Sequence, residues 1–351
     1  MFFMKAILPF AIAIPLATTT IEQQLISSDE LLVAQPLPLE GWMSDFSMAQ
    51  KAAVEQNKPI LIAFLGPNWC PWSDQLEREV LVDSAFVQEM KDKVILLKVD
   101  IPEDFAIHSD ESLPSLKLKD RYHIEECPAL VLVEPMGGEI AQLKYLPLQS
   151  NEFAGYINGM LNDYAKVNEA VERKNLENLS EKELKTLYAK AGRFADSTFK
   201  RTLLKKGLKE DKSPYFLIEE YGYLVARGHF KDRKLSRIRN KILARDPKNE
   251  KGALRQLAIL DFEALAKGGR RHQSTQKTIE PLVKYLKAFG KSDAENGWKM
   301  EMMISEYLFA KDQTEGALKH AQASLEIAPD FAKKEIAQSI EYLQTKLEPN
   351  R

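Results

Sequence analysis

The stretch PNWCPWSDQLEREV, residues 67–80, contains a cysteine flanked by two tryptophans, with a serine three residues after it. It follows an apolar run that predicts a buried strand, and its second half has helical spacing, so Cys70 stands where a strand gives way to a helix. The free N–H groups and the dipole at a helix N-terminus favour an anion, such as a nucleophilic thiolate. Pro71 suits the first helical turn, where its missing N–H costs nothing. The sequence therefore predicts a reactive thiol at Cys70.

Three side chains near Cys70 are candidates for supporting roles. Trp69 and Trp72 flank the sulfur with apolar surface, and Trp72 is the better candidate for touching a substrate polypeptide, with simple packing as an equal alternative. Ser73 stands where a Cys-x-x-Cys motif would carry its second thiol. A serine cannot form a disulfide with Cys70, but its hydroxyl can donate a hydrogen bond to a thiolate. The chain has one further cysteine, Cys127. Two cysteines are too few to build a small fold held together by disulfides.

The predicted elements around Cys70 alternate between helix and strand. Four apolar runs rich in strand formers predict buried strands: KPILIAFL, KVILLKVD, ALVLVEP and EIAQLKYL. Helical spacing precedes the first run and separates the first three, whereas the last two are joined by MGG, a hairpin signal. Strands joined through helices run parallel and a hairpin is antiparallel, so the order predicts an α/β domain with a mixed sheet flanked by helices. Asp100, at the end of the second run, is expected to be solvated.

After about Lys166 the strand signals disappear, and Leu, Ala, Lys and Glu recur at helical spacing. The segment ISEYLFAKDQTEGALKHAQASLEIAPDF has small residues at Ala317 and Ala321, and Pro329 near its end. This arrangement resembles a tetratricopeptide repeat, in which two antiparallel helices cross at small residues. Residues 165–351 are therefore predicted to form an all-α, helical repeat-like (TPR-like) domain, whose stacked helix pairs would offer an extended surface.

Composition and charge limit the classes of partner. The 351 residues are 44% hydrophobic and 28% charged, which is enough for two domains to bury a core each. The formal net charge of −2 gives no indication of nucleic acid or of an acidic membrane surface. Basic runs in the second half are expected to be solvated helix faces. No histidine has metal-ligand spacing with a cysteine, and no cofactor is expected.

The N-terminus has the layout of a secretory signal peptide. Lys5 precedes a short apolar run, residues 6–17, and small polar residues follow. We therefore expect a signal peptide over residues 1–20, a tether over residues 21–39 and a periplasmic protein. The alternative is an uncleaved anchor that holds the protein at the inner membrane, facing the periplasm. Export would place the thiols in an oxidising compartment, where disulfides form and must be corrected.

The segments KPILIAFLGPNWCPWSDQLEREV, VILLKVD and YHIEECPALVLVEPMGGEI together resemble the thioredoxin superfamily. They are most similar to its bacterial exported branch with a W-C-x-W-C-type motif. With the helical extension, the chain also resembles the predicted disulfide isomerases of chlamydia-like bacteria. The resemblance covers residues 40–164 and implies a thioredoxin-like domain in which Cys70 attacks and position 73 resolves. It also implies that a cis-proline, here Pro128, faces the motif and borders the substrate.

Two departures from the family pattern bear on the mechanism. Ser73 cannot free Cys70 from a mixed disulfide, as the second thiol of a thioredoxin does. The strand PILIAFL also lacks the buried acid that many thioredoxins carry there. Cys127 immediately precedes Pro128, in the loop that the fold would place against Cys70. It could replace the missing thiol, if the two Cα atoms lie within about 7 Å, or it could be a buried, unreactive small residue.

These observations predict a thiol–disulfide oxidoreductase, acting as a protein disulfide isomerase or reductase through a single nucleophilic cysteine. Its expected partners are exported client polypeptides with disulfides and a redox partner protein, with no nucleic acid; self-association is a further expectation. The alternative is a noncatalytic thioredoxin-fold client-binding, retention or assembly factor, with a TPR-like interaction domain. A third hypothesis is a fold used only for protein contacts, with Cys70 a relic. A catalyst turns over, whereas a retention factor accumulates as a stable adduct.

Overall fold

The structure is a computed structural model that describes residues 39–103, 113–143, 145–172, 175–228, 233–267 and 274–347. The predicted signal peptide, and all but the last residue of the predicted tether, lie outside the described residues. Residues 40–351 form one compact unit, in which strands and helices alternate first and helices follow. Among the described helices, none combines the length and the apolar character needed to cross a bilayer.

The sheet has four strands in the order β2-β1-β3-β4. Their bounds are β1 Ile60–Leu65, β2 Ile95–Asp100, β3 Ala129–Val133 and β4 Glu139–Leu143. β1 and β2 run parallel, with Leu65 opposite Asp100, whereas the β1–β3 and β3–β4 pairs are antiparallel. Each strand falls within one of the four apolar runs, so the predicted mixed sheet is confirmed.

Helices cover both faces of this sheet. Their bounds are α1 Phe46–Gln56, α2 Pro71–Leu76, α3 Ser84–Met90, α4 Leu113–Arg121 and α5 Ser150–Glu172. A π-helical segment, Glu77–Leu81, continues α2. Because strand side chains alternate between faces, Ile60, Ile62 and Phe64 pack in one core with residues of α1 and α4. On α3 and α5, the rings of Phe86 and Phe153 lie 6.2 Å apart.

The helices of this domain begin in different ways. Asp45 caps α1 by accepting a hydrogen bond from the Met48 amide, 2.7 Å away, and Asp83 caps α3 by accepting from the Ala85 amide at 2.8 Å. α2 instead begins after Cys70, whose side chain makes no capping hydrogen bond. The Cys70 sulfur therefore does not cap α2, and the helix does not depend on it.

The rest of the described chain is helical, which confirms the predicted all-α region. Its helices are α6 Glu181–Ala191, α7 Ser197–Glu210, α8 Tyr215–Ala226, α9 Arg233–Arg245, α10 Ala253–Lys267, α11 Thr275–Phe289, α12 Ala294–Phe309, α13 Thr314–Ile327 and α14 Asp330–Leu347. Ala317 and Ala321 are fully buried, and the Ser305 hydroxyl of α12 donates to the Ala317 carbonyl of α13 at 2.8 Å. Small residues therefore let α12 and α13 approach closely, while the comparison with tetratricopeptide repeats stays a prediction.

One helix serves both parts of the chain. The boundary predicted between residues 164 and 165 falls inside α5, which is continuous from Ser150 to Glu172. The Ala195 amide, between α6 and α7, donates to the Ile140 carbonyl of β4 at 2.9 Å. The helical region thus contacts the outer edge of β4, an edge that would otherwise be open to unwanted strand pairing.

Candidate active site

Cys70 lies between the loop that leaves β1 and the first turn of α2. Its amide donates to the Gly66 carbonyl at 2.9 Å, and its own carbonyl accepts from the amides of Ser73 and Asp74 at 2.9 and 3.1 Å. These bonds fix the backbone on both sides of the sulfur. Cys70 is only 6% exposed, so a partner must approach the sulfur from a restricted direction.

Cys127 and Pro128 lie against Cys70, as the resemblance to thioredoxins implies. The Cys70 Sγ donates to the Cys127 carbonyl oxygen at 3.1 Å. The Cys127–Pro128 peptide bond is cis, and both thiols are free. The fold therefore brings Cys70 against the Cys127–Pro128 pair, although Cys70 and Cys127 are 57 residues apart in the sequence.

Ser73 takes part in a hydrogen bond that was not predicted from the sequence. Its side chain is 1% exposed, and its Oγ accepts a hydrogen bond from the Gly66 amide at 3.0 Å. Across the described residues, no hydrogen bond joins this hydroxyl to the sulfur of Cys70. The reason is position: Ser73 lies one turn into α2, where its side chain satisfies a buried amide of the loop after β1. The Ser73 oxygen accepts this bond, and its O–H is a separate donor, so donation to a Cys70 thiolate stays a prediction.

The two tryptophans have different surroundings. Trp69 is half-buried; its Nε1 donates to the Ile101 carbonyl at 2.8 Å, and its ring lies over Gly66. Trp72 is 58% exposed, with its ring centroid 6.3 Å from that of Tyr145. Trp69 is therefore held by the domain, whereas Trp72 presents an aromatic surface beside Cys70 that a polypeptide can contact.

Gly66 makes room for the Trp69 ring. A Cβ atom at position 66 would lie 2.4 Å from two atoms of the indole, well inside van der Waals contact. We expect Gly66→Ala to displace the ring, to break its hydrogen bond to Ile101 and to destabilise the domain by about 1–3 kcal/mol. Thermal unfolding of the full chain, followed by tryptophan fluorescence, measures both effects.

The control for that substitution is Gly155→Ala in α5, where a Cβ meets nothing within 4 Å. Alanine favours a helix over glycine by about 1 kcal/mol, so this variant should be as stable as the wild type or more stable. Unchanged fluorescence and an unchanged unfolding temperature in Gly66→Ala would contradict the packing described for Trp69.

The Cys127 thiol lies in surroundings that suppress ionisation. Burial, reinforced by the neighbouring Cys70, raises the pKa of Cys127 to about 11, against a smaller opposing effect of Lys119. At pH 7 only about one Cys127 in ten thousand is then a thiolate, and the thiolate is the form that attacks. Cys127 is therefore close to Cys70 but mostly protonated.

Alkylation of Cys127 by iodoacetamide should report this raised pKa. In the folded wild-type chain, we expect the rate to rise about tenfold per pH unit from pH 7 to pH 10, because the thiolate fraction grows without levelling off. Peptide mapping by mass spectrometry measures Cys127 separately from Cys70. In denaturant, the rate for the same chain should level off above about pH 8.5, the pKa of an unperturbed thiol. A plateau at or below pH 9 in the folded chain would contradict the raised pKa.

A charged cluster beside the π-helical continuation of α2 was not predicted from the sequence. Lys98 of β2 is 9% exposed, and its Nζ lies 3.0 Å from Glu77 and 3.4 Å from Asp100. Burial raises the pKa of Asp100, against the attraction of Lys98. Asp100 is nevertheless partly exposed, as expected, and it also forms an unpredicted ion pair with Lys98. The available signal was a lysine inside an apolar strand run, because a buried ammonium group requires partners.

Comparisons with known proteins identify relatives of both parts of the chain. Residues 41–135 match the Thioredoxin-like family. The thioredoxin-related protein DsbJ of Chlamydia pneumoniae is 28% identical over 307 residues, which cover 86% of this chain and 87% of that protein. The disulfide bond reductase DsbH of the same bacterium is 24% identical over 123 residues, or 34% of this chain and 74% of that protein. A solved structure of DsbH oxidoreductase is 20% identical, with a TM-score of 0.32, and covers 39% of this chain and 95% of its own.

The family match and the cis-proline site both fall in the first part of the chain. The similarity to DsbJ is long enough to include much of the helical part as well. The first part of this chain is thus a thioredoxin-like domain of the thioredoxin superfamily, and the chain resembles the chlamydial thioredoxin-related proteins.

Proposed function

We propose that this protein is a periplasmic thiol–disulfide interchange protein that isomerises or reduces disulfides of exported polypeptides through Cys70. A thiol–disulfide redox role is supported at the level of the family by the thioredoxin-like domain and by relatives named for disulfide chemistry. The single observation that carries the finer proposal is the site itself. A thiol stands at the start of α2 against the Cys127 carbonyl and cis-Pro128, with serine at position 73.

Isomerisation needs one protein thiol. The Cys70 thiolate attacks one sulfur of a client disulfide, so a Cys70–client bond forms, the client S–S bond breaks, and the second client sulfur leaves as a thiolate that takes up a proton. Another client thiolate then attacks the client sulfur of this mixed disulfide. A new client disulfide forms and Cys70 leaves as a thiolate, so electrons are conserved overall. When a thiol of a redox partner protein makes the second attack instead, the client is reduced and the partner is oxidised.

The residues around Cys70 have supporting roles in this scheme. The Cys127 carbonyl holds Sγ at 3.1 Å while the site is at rest, and this hydrogen bond is given up when the sulfur attacks. Trp72, with Tyr145 beside it, offers aromatic surface to the client next to the sulfur. Pro128, joined to Cys127 by the cis peptide bond, is proposed to contact the client as well. Trp69 and Ser73 position the loop from which Cys70 acts.

We propose that Cys127 stays protonated during interchange, because its raised pKa leaves few thiolates at neutral pH. The competing proposal is that Cys127 resolves the mixed disulfide, and the closeness of its backbone to the Cys70 sulfur favours that role. In that scheme the Cys127 thiolate attacks Cys70 Sγ, a Cys70–Cys127 disulfide forms, and the client leaves with a reduced thiol. A partner thiol must then reduce the new disulfide.

A second candidate function is a client-binding, retention or assembly factor. The observation that favours it is the absence of an efficient internal route of release: position 73 is serine, and Cys127 is mostly protonated. A mixed disulfide at Cys70 would then persist, while the helical region holds the client or a partner. The periplasmic location is supported by the N-terminal sequence pattern, with an inner-membrane anchor as the alternative.

Reactivation of scrambled ribonuclease A by a small amount of the full chain tests this proposal. We expect each protein molecule to reactivate many ribonuclease molecules, and the Cys127→Ala variant to do the same within about twofold, since Cys127 takes no part. A stoichiometric adduct with no further reactivation would indicate a retention factor. If the protein formed no adduct and reactivated no ribonuclease, the domain would be a module used only for protein contacts.

A further inference from the structure

Two helices in the second part of the chain, α7 and α9, concentrate positive charge. α7 carries five Lys or Arg residues and one Glu, whereas α9 carries six Lys or Arg residues and no acid. Their charges are therefore +4 and +6, in a chain whose formal net charge is −2. The net charge of the whole chain conceals this segregation, because acidic residues elsewhere balance the two helices.

The cations of α7 and α9 fall into two groups, according to whether the fold uses them. Five have partners: Lys200 lies over the Tyr188 ring, Lys206 pairs with Glu210, Lys234 with Glu220 and Arg239 with Asp261, and Arg245 donates to the carbonyls of Asp211 and Ser213. The other six are exposed, and within the described part of the chain their side chains form no ion pair or hydrogen bond: Arg201, Lys205, Lys209, Arg233, Arg237 and Lys241. These six charges therefore do not hold the helices together.

The six unused cations form two stripes, three on each helix. Each set recurs at every fourth residue, so it occupies one face of its helix over a length of about 12 Å. The buried residues of α7 include Phe199, Leu203 and Gly207, which recur at the same interval on the opposite face. On α9 the buried face is formed by Leu235 and Ile242, with Ile238 between them. Both sets, called here the basic stripes, thus face away from the core.

The helices that carry the basic stripes are neighbours. Arg245, at the end of α9, donates to the carbonyls of Asp211 and Ser213 at 2.8 and 2.7 Å, just beyond the end of α7. α8 starts at this point, where Phe216 packs against Gly207 of α7. Since α7 and α9 both end beside the start of α8, they run in the same direction and their stripes lie on adjacent helices.

The basic stripes are unfavourable for the helices that carry them. Like charges four residues apart on a helix repel each other and destabilise it. Each stripe contains two such pairs, and the one acid on the two helices, Glu210, is already paired with Lys206. A partner with many negative charges would relieve this repulsion along both stripes at once.

The character of the surrounding surface narrows the kind of partner. The exposed positions of α7 and α9 hold no aromatic and no large apolar residue. Aromatic and apolar anchors are typical of protein interfaces, and aromatic stacking is typical of sites for single-stranded nucleic acid. A bilayer with anionic lipids needs neither, because it presents many mobile phosphate charges to Lys and Arg side chains. The proposed export favours a membrane over duplex nucleic acid.

We propose that the basic stripes of α7 and α9 bind the surface of a bilayer that contains anionic lipids. The inference goes beyond the thiol chemistry, and it rests on the proposed export only for the choice of a membrane over nucleic acid. The contact is peripheral, because the exposed positions offer no large apolar side chain that could enter the hydrocarbon. It would hold Cys70 near the membrane across which exported clients arrive.

Flotation of the full chain with lipid vesicles tests this inference. The vesicles consist of phosphatidylcholine, alone or with about 40% phosphatidylglycerol. We expect the wild type to prefer the anionic vesicles at low salt and to lose this preference in about 0.5 M salt, where charges are strongly screened. The R201Q/K205Q/R233Q/R237Q variant should bind the anionic vesicles about a hundredfold more weakly, because each Lys or Arg near an anionic surface adds about a fivefold factor.

The matched control is K287Q/K291Q/K319Q/K334Q, which removes the same number of charges from exposed lysines outside α7 and α9. It should keep the wild-type affinity within about threefold, because charges more than about 10 Å from the contact are screened. The apolar N-terminal run is the same in all three chains, so it cannot produce a difference between them. The stripe variant should unfold at the wild-type temperature or above, since it loses repulsive pairs.

Three outcomes would overturn the inference. They are equal binding of the two variants to anionic vesicles, no preference of the wild type for anionic over neutral vesicles, and binding of the wild type to polyglutamate but not to the vesicles. The last of these would indicate an acidic protein partner instead of a membrane.

Reactivity toward a small aromatic disulfide separates this inference from the proposed function. The stripe variant should react at the wild-type rate, because Cys70 is unaltered. A wild-type chain that binds anionic vesicles but reactivates no scrambled ribonuclease would refute the interchange activity and retain the membrane contact. A chain that reactivates ribonuclease but does not bind the vesicles would overturn the membrane contact alone.

Discussion

Cys70→Ala is expected to reduce the reactivation of scrambled ribonuclease to the rate of buffer alone. The sulfur is the only atom that the scheme requires to form a bond with the client, so no other residue can take over. The variant should still fold, because the Cys70 side chain does not cap α2, and it loses one hydrogen bond to the Cys127 carbonyl and the packing of one buried sulfur. Such a bond contributes about 1 kcal/mol. The rate of reactivation, with the unfolding temperature measured alongside, gives both results.

The matched control for this substitution is Cys127→Ala, which removes the second thiol and keeps the first. We expect it to retain reactivation within about twofold, since a mostly protonated thiol adds little. Substantial activity in Cys70→Ala would contradict the assignment of Cys70. A large loss of reactivation in Cys127→Ala, with its fold intact, would indicate that Cys127 resolves the mixed disulfide.

Ser73→Cys is expected to have the second largest effect, a gain of activity. It would place a thiol one helical turn from Cys70. The thiolate of that group could attack Cys70 Sγ in a mixed disulfide, so a disulfide forms between Cys70 and the new thiol, and the client leaves with a reduced thiol; an added dithiol then reduces the new disulfide. We expect the variant to reduce insulin in the presence of a dithiol and to hold mixed disulfides for a shorter time than the wild type. Turbidity of precipitating insulin B chain and nonreducing gels measure these two quantities.

Ser73→Ala is the control, because it loses the same hydrogen bond without adding a thiol. Both variants leave the buried Gly66 amide poorly satisfied, which costs about 1–3 kcal/mol of folding free energy. Only Ser73→Cys should gain reductase activity. Equal behaviour of the two variants toward insulin would show that a second thiol at this position cannot reach the Cys70 sulfur.

Patterns local in sequence predicted the parts of the fold that local physics controls. The four apolar runs became the four strands, and MGG became the turn between β3 and β4. The aspartates before α1 and α3 cap those helices. A cysteine between a strand and a helix, followed by proline, indicated the position of Cys70, and the dipeptide Cys127–Pro128 indicated the segment that faces it.

Features that depend on tertiary contacts could not be predicted from the sequence. The Ser73 hydroxyl had two potential partners in the same turn, and only the path of the loop after β1 decides that it binds Gly66. The need for glycine at position 66 follows from the rotation of the Trp69 ring. Lys98 required partners, but nothing in its strand showed that Glu77 would be one of them.

The oxidation product of the wild-type chain tests most directly whether Cys70 acts alone. The full chain is incubated with a modest excess of oxidised glutathione at pH 7, quenched with acid and mapped by mass spectrometry. We expect glutathione on Cys70 and a free thiol at Cys127, because the Cys127 pKa of about 11 leaves too little thiolate to displace the adduct. A Cys70–Cys127 disulfide without bound glutathione would contradict this expectation and show that the protein has two cooperating thiols.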